Sequence, residues 1–214
     1  MFYLLLIFLP IYIFLINLFF KRNKFAPNYS GDNHQKYIKE KSIPLSGGMI
    51  LVSLLLVLFF DNHSIFSIAL LAIFFIGFIS DLNLLSSPRH RFILQAMIIF
   101  IFVYFINLNV GPTRIFFLDF FLENILFSFL FTTFCLMIVV NGSNFIDGLN
   151  GILLGYYLII LGIIFNLSIF WEININYHEI IFLITLMVFL LIFNFSNKLY
   201  MGDGGAYTLG FTVS

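Results

Sequence analysis

Three carboxylates in this 214-residue chain stand beside glycines or side-chain amides, in Gly77-Phe-Ile-Ser80-Asp81-Leu-Asn83, in Asn144-Phe-Ile-Asp147-Gly148-Leu-Asn150-Gly151, and in Met201-Gly202-Asp203-Gly204-Gly205. Carboxylates that converge without a cation repel one another and raise their own pKa values, whereas a divalent ion holds them ionised. Mg²⁺ suits such a set, with Mn²⁺ as the alternative, because it takes hard oxygen ligands and leaves positions for water and substrate phosphate. Asn144 lies one helical turn before Asp147 and offers an amide oxygen on the same face. Asn150 lies three residues further on, so Asn144, Asp147 and Asn150 form a row of donors and acceptors, while Gly148 and Gly151 permit close approach. The glycines around Asp203 and Gly204, just before the last apolar run, are expected to expose backbone amides at a helix N-terminus, where a phosphate is attracted. Lys36, Arg89 and Arg91 supply the positive charge a diphosphate needs, and Arg can grip two oxygens at once.

The elements that must position these groups follow from composition. Of all residues 62% are hydrophobic, 20% aromatic and 9% charged, with a mean hydropathy of +1.09. Soluble domains carry about 25% charged residues. Disorder is excluded by the apolar content, and a disulfide framework by a single cysteine, Cys135. Ten basic residues balance ten acidic ones, so no global field draws in nucleic acid. The expected class is an all-α polytopic membrane protein in one domain, residues 1–214.

Apolar runs occupy Phe2–Phe20, Pro44–Phe60, Ile65–Ile79, Phe92–Ile106, Ile125–Val140, Leu149–Phe165 and Glu179–Phe193, and another begins near Ala206. They predict about seven transmembrane helices plus the start of an eighth. The runs are continuous and lack the period-two alternation of barrel strands. The first is read as a retained helix, since no basic segment precedes it and no small-residue cleavage site follows. Between these runs the basic residues divide. Lys21, Arg22, Lys24, Lys36, Lys39, Lys41, Arg89, Arg91 and Lys198 fall on one side and only Arg114 on the other. The positive-inside rule makes the first side cytoplasmic and puts the N-terminus outside. Every chemistry-bearing segment lies on that same side.

Plainer roles compete with each chemical one. Asp81 has a helix-cap alternative. Arg89 and Arg91 have an orientation-anchor alternative, and Pro88 a helix-start role. His34 and His90 read as solvated loop residues, Cys135 as packing, and His63, His178, Trp171 and Tyr177 as interfacial anchors.

Taken together, the segments resemble the polyprenyl-phosphate N-acetylhexosamine-1-phosphate transferases. Asn144-Phe-Ile-Asp147-Gly-Leu-Asn150-Gly151 is similar to that family's N-x-x-D-G-x-D/N-G segment, and Met201-Gly-Asp203-Gly-Gly-Ala to its M-G-D-x-G-S/A. Pro44-Leu-Ser-Gly47-Gly48 resembles P-x-x-G-G, and His34-Gln-Lys36 the family's H-x-K. The resemblance implies transfer of a sugar-1-phosphate from a UDP-N-acetylhexosamine to a polyprenyl (undecaprenyl) phosphate, with release of UMP. It places this reaction at the cytoplasmic face of a bacterial inner membrane, and a homodimer is among its expectations. It further implies Mg²⁺ on Asp203 and Asn144, a nucleotide site shaped by Asp147 and Asn150, Asp81 near the lipid phosphate, and Lys36 on phosphate. Three departures stand beside it. Ser80 replaces the first of a usual aspartate pair, and Leu84 a usual charge. Asn194 lies about one residue nearer Asp203 than the family's nucleotide-contacting asparagine. No His-x-His-His pattern occurs, so a C-terminally truncated transferase is expected. An inactive scaffold and a small ion-coupled transporter are the alternatives.

Overall fold

The computed structural model describes residues 2–23, 43–60, 63–148, 150–172 and 176–214, and every regular element among them is helical. All seven predicted apolar runs carry a helix: α1 (Phe2–Asn23), α2 (Gly47–Phe59), α3 (Ser64–Asp81), α4 (Pro88–Ile106), and, after the short α5 (Phe116–Leu122), α6 (Ile125–Ile146), α7 (Ile152–Phe170) and α8 (Tyr177–Phe195). The final run forms α9 (Gly202–Val213). Five of these, α3, α4, α6, α7 and α8, are long and apolar enough to cross a bilayer, making the chain a multi-pass membrane protein. Lys36 and His34 lie outside the described residues.

Local chemistry sets the boundaries. Pro88 opens α4, where its missing N–H costs nothing because the first helical amides have no intrahelical partner. Asn124 caps α6 by accepting from the Leu126 and Phe127 amides, both at 3.1 Å. Helix α5 was not anticipated from sequence, since its seven residues sit between a Gly-Pro turn and that cap. Its entry is fixed by Asp119, whose Oδ1 accepts from the Thr113 amide and hydroxyl, both at 2.7 Å. These donors hold the Asp119 carboxyl below its usual range.

Helix α2 is shorter than the predicted run. The chain over 43–46 is non-helical because it pairs with the segment before α9: the Tyr200 amide donates to the Pro44 carbonyl at 3.0 Å, and the Gly47 and Gly48 amides donate to the Tyr200 and Met201 carbonyls at 3.0 and 3.1 Å. Asn17 of α1 secures the same region. Its Oδ1 accepts from Ser46 Oγ at 2.8 Å and its Nδ2 donates to the Lys198 carbonyl at 3.0 Å. Backbone groups within lipid must find protein partners, so these bonds allow a break in helix at the bundle's end.

The last helix is central. Residues Gly204–Phe211 of α9 are all buried, with α2, α3 and α6 around them. On α6, Leu136, Met137 and Val140 are buried, while Leu130, Phe134 and Ile138, four residues apart, form an exposed stripe suited to lipid. Glycines permit the close approach. A Cβ on Gly77 would lie 2.5 Å from the Gly204 N and Cα, and one on Gly48 would lie 2.5 Å from the Gly205 N. Small residues at crossings of this kind let membrane helices gain van der Waals contact where no hydrophobic drive exists.

Because the atoms facing Gly77 are backbone, they cannot swing aside. Gly77→Ala is expected to cost about 1–3 kcal/mol of stability, read as a lowered melting temperature in detergent. Gly111→Ala, where a Cβ meets nothing within 4 Å, is the matched control and should leave that temperature unchanged.

Candidate active site

The site forms where the C-termini of α3 and α6 meet the N-termini of α4 and α9. Asp81, the last residue of α3, turns its carboxylate onto the start of α9: Oδ1 accepts from the Asp203 amide at 2.8 Å and Oδ2 from the Gly204 amide at 3.1 Å. The plainer alternative for Asp81 thus has a geometric form, with the cap supplied across two helices. Gly202, with φ of +69°, makes the turn that presents these amides. The same bonds bear on the phosphate expected at Gly204. That glycine is buried and its amide is already given to Asp81.

Asp203 lies on the first turn of α9 and faces α4. Arg91 Nη1 donates to its Oδ2 at 2.5 Å and to Ser80 Oγ at 2.6 Å, while Ser80 Oγ donates to the same Oδ2 at 2.8 Å. Arg89, one of the two arginines expected to supply charge, is exposed, and Arg91 is the one that reaches Asp203. Helix periodicity carries this distinction. In a helix starting at Pro88, residues 91 and 95 share a face and 89 does not. Gln95, fully buried, marks that face as the inner one.

Asp147 is the C-cap residue of α6 and is partly buried. Burial, together with the negative charges of Asp81 and Asp203, pushes its carboxyl well above the usual carboxylate range. The three acids therefore share one electrostatic neighbourhood. Of the three, Asp81 has both oxygens accepting from backbone amides of α9. Among the described residues, no three His, Cys, Asp or Glu side chains group so that they could hold a metal. Asn144 and Asp147, separated by one turn, remain beside Asp203 as an oxygen-rich set. Asn144 Nδ2 donates to Tyr207 Oη at 3.2 Å, which leaves its carbonyl oxygen for another partner.

Asn150 reaches the opposite wall, donating from Nδ2 to Asn197 Oδ1 at 2.5 Å. Asn197 holds a left-handed backbone with φ of +52°, a conformation asparagine tolerates better than most residues. Asn194 is buried instead, with its Nδ2 donating to the Leu199 carbonyl at 3.1 Å. Leu84 is 76% exposed and takes no part in the cluster. Tyr207 and Asn197 were not identified from sequence. Tyr207 lies one turn along α9 from Asp203, and that spacing was the available signal.

The comparisons with known proteins agree with this picture. The profile described as Glycosyl transferase family 4 matches residues 63–214, well over half of the chain. A phospho-N-acetylmuramoyl-pentapeptide-transferase of Caldanaerobacter subterraneus subsp. tengcongensis is similar at 25% identity over 214 aligned residues, covering 92% of this chain and 67% of that protein.

Two outcomes follow from the carboxylates. Asp81→Ala removes the cap of α9 and should cost about 0.5–2 kcal/mol, with faster hydrogen exchange at the Asp203 and Gly204 amides. Asp147 has a raised pKa in the folded state, so folding binds its proton more tightly. Its effect on stability is therefore lost as pH rises from the ordinary carboxylate range through the raised value. Asp147→Asn should flatten that decline and raise the neutral-pH melting temperature in EDTA; an unchanged pH profile would show that Asp147 titrates normally.

Proposed function

Because the chain belongs to glycosyl transferase family 4, we propose that it transfers a sugar-1-phosphate, N-acetylhexosamine-1-phosphate by preference, from a UDP-sugar to polyprenyl phosphate. The acceptor phosphate oxygen forms a bond to the sugar-proximal phosphorus, the bond from that phosphorus to the oxygen bridging it to the other phosphate breaks, and UMP leaves. The observation that carries the reading is the meeting of Asp81, Asp147 and Asp203 with Arg91 at one end of the bundle. The excess of basic residues on that side supports a cytoplasmic position for it, and the family suits a bacterial inner membrane.

The residues present fit a hard divalent cation. Asp203, Asp147 and the Asn144 oxygen are oxygen donors in a neighbourhood of three acids and one guanidinium. Mg²⁺ needs only one or two carboxylates and fills its remaining positions with water and phosphate. Asp203 and Asn144 would hold it, and when bound it supplies charge neutralisation to the diphosphate. The chain's other groups position the reactants. Asp81 keeps α9 and therefore Asp203 in place, and its distance from any proton-transfer role matters little because an ionised phosphate is already a nucleophile. Asn150 and Asn197 form a paired-amide wall suited to the hydrogen-bonding edges of a nucleotide. Arg91 is the cation beside the reacting phosphates, and Lys36 is proposed to hold phosphate as well. Such transfers rest on positioning and charge neutralisation.

The test is formation of lipid-linked product from undecaprenyl phosphate and radiolabelled UDP-N-acetylglucosamine with Mg²⁺, using purified full chain. Product and UMP should appear together and vanish with EDTA. Asp203→Ala should reduce the rate at least about a hundredfold, on the scale of losing one electrostatic element of a transition state. A folded protein that makes no product with any UDP-N-acetylhexosamine would favour a membrane scaffold instead.

A further inference from the structure

We propose that Arg91 is a built-in counter-ion of Asp203 that competes with the divalent cation for that carboxylate, and that Ser80 strengthens this pairing. The inference rests on the reading that Asp203 holds the metal. An arginine facing a carboxylate commonly grips it with two parallel N–H bonds, the strongest arrangement available. Arg91 does not. One nitrogen, Nη1, serves both Asp203 Oδ2 and Ser80 Oγ, and Nε is buried without a partner. The hold is single-pronged, and the two side chains are 19% and 27% exposed, so water competes for them. Such a pair neutralises Asp203 yet can be displaced by an ion with twice the charge.

The hydroxyl of Ser80 closes the triangle in a way a carboxylate at that position could not. It accepts from Arg91 while donating to Asp203, whereas an ionised carboxylate only accepts and would repel Asp203. Asp81 is satisfied by the amides of α9 and Asp203 by Arg91 and Ser80, while Asp147 stands close enough to feel both acids. A divalent cation approaching Asp147 and Asn144 must take Asp203 from Arg91. The same guanidinium is then freed for an anion. Arg91 is thus a positioning residue that sets the metal affinity, and the metal in turn sets whether Arg91 is available.

The experiment measures metal binding directly, without substrate. Purified full chain is titrated with Mn²⁺ and the free ion followed by electron paramagnetic resonance. Arg91→Gln should bind Mn²⁺ about tenfold tighter than wild type, the equivalent of removing one partly exposed, charge-assisted pair. Ser80→Ala should shift affinity in the same direction by a smaller factor. In the unmutated protein, Mg²⁺ should increase modification of Arg91 by phenylglyoxal, read by peptide mass spectrometry, which keeps the proposal testable should Arg91→Gln fail to fold. Asp203→Asn should abolish the site. Mn²⁺ binding that Asp203→Asn leaves intact would overturn the metal assignment itself. Binding that Asp203→Asn abolishes but Arg91→Gln leaves equal or weaker, or Arg91 labelling unmoved by Mg²⁺, would overturn the competition alone.

Discussion

The start of α9 must satisfy its backbone amides inside a membrane protein, and the carboxylate of Asp81 does so from another helix. A helix N-terminus has four amides with no intrahelical partner and carries a partial positive charge. Where they are packed between helices, such amides need protein partners. The two oxygens of Asp81 meet both needs and in doing so join the end of α3 to the beginning of α9. The glycine contacts between the same helices, Gly77 against Gly204, are the steric half of that joint. The bonds from Pro44, Gly47 and Gly48 to Tyr200 and Met201 close it from the side of α2.

This arrangement divides labour among three acids that look equivalent in sequence. Asp81 is structural in its contacts, although it lies at the heart of the site. Asp203 is presented on the capped turn and balanced by Arg91. Asp147 is partly buried with two like charges nearby, a destabilising position that a metal and a substrate would relieve. Perturbed carboxylates of this kind gather at functional sites because the function uses the charge that the fold alone would avoid.

Much of the architecture was legible beforehand, for reasons visible residue by residue. Continuous apolar runs located every long helix because lipid imposes the same requirement along the whole span. Pro88 marked the start of α4, since proline lacks the one donor that position does not need. Helix α5 escaped because seven residues are too few to show a period. The shortened start of α2 escaped because its cause lies about 150 residues away, in the carbonyls of Tyr200 and Met201. That Arg91 rather than Arg89 meets Asp203 follows from the helical phase set by Pro88 and Gln95. The Gly204 amide, expected to be open to a phosphate, is instead on Asp81, because an N-terminal glycine does not announce which acid has claimed its amide.

By itself, the sequence determined the class of molecule, the positions of its long helices, and the residue types its chemistry can use. Hydropathy and charge are summed along the chain, so a one-dimensional record preserves them. Which acid caps a helix, which arginine meets Asp203, and which asparagine faces Asn150 were decided only by the tertiary structure. Those are pairings between residues such as 81 and 203, or 150 and 197, whose distance depends on how helices cross. Helix crossing is set by glycines and side-chain volumes on several elements at once, and no single segment contains that information.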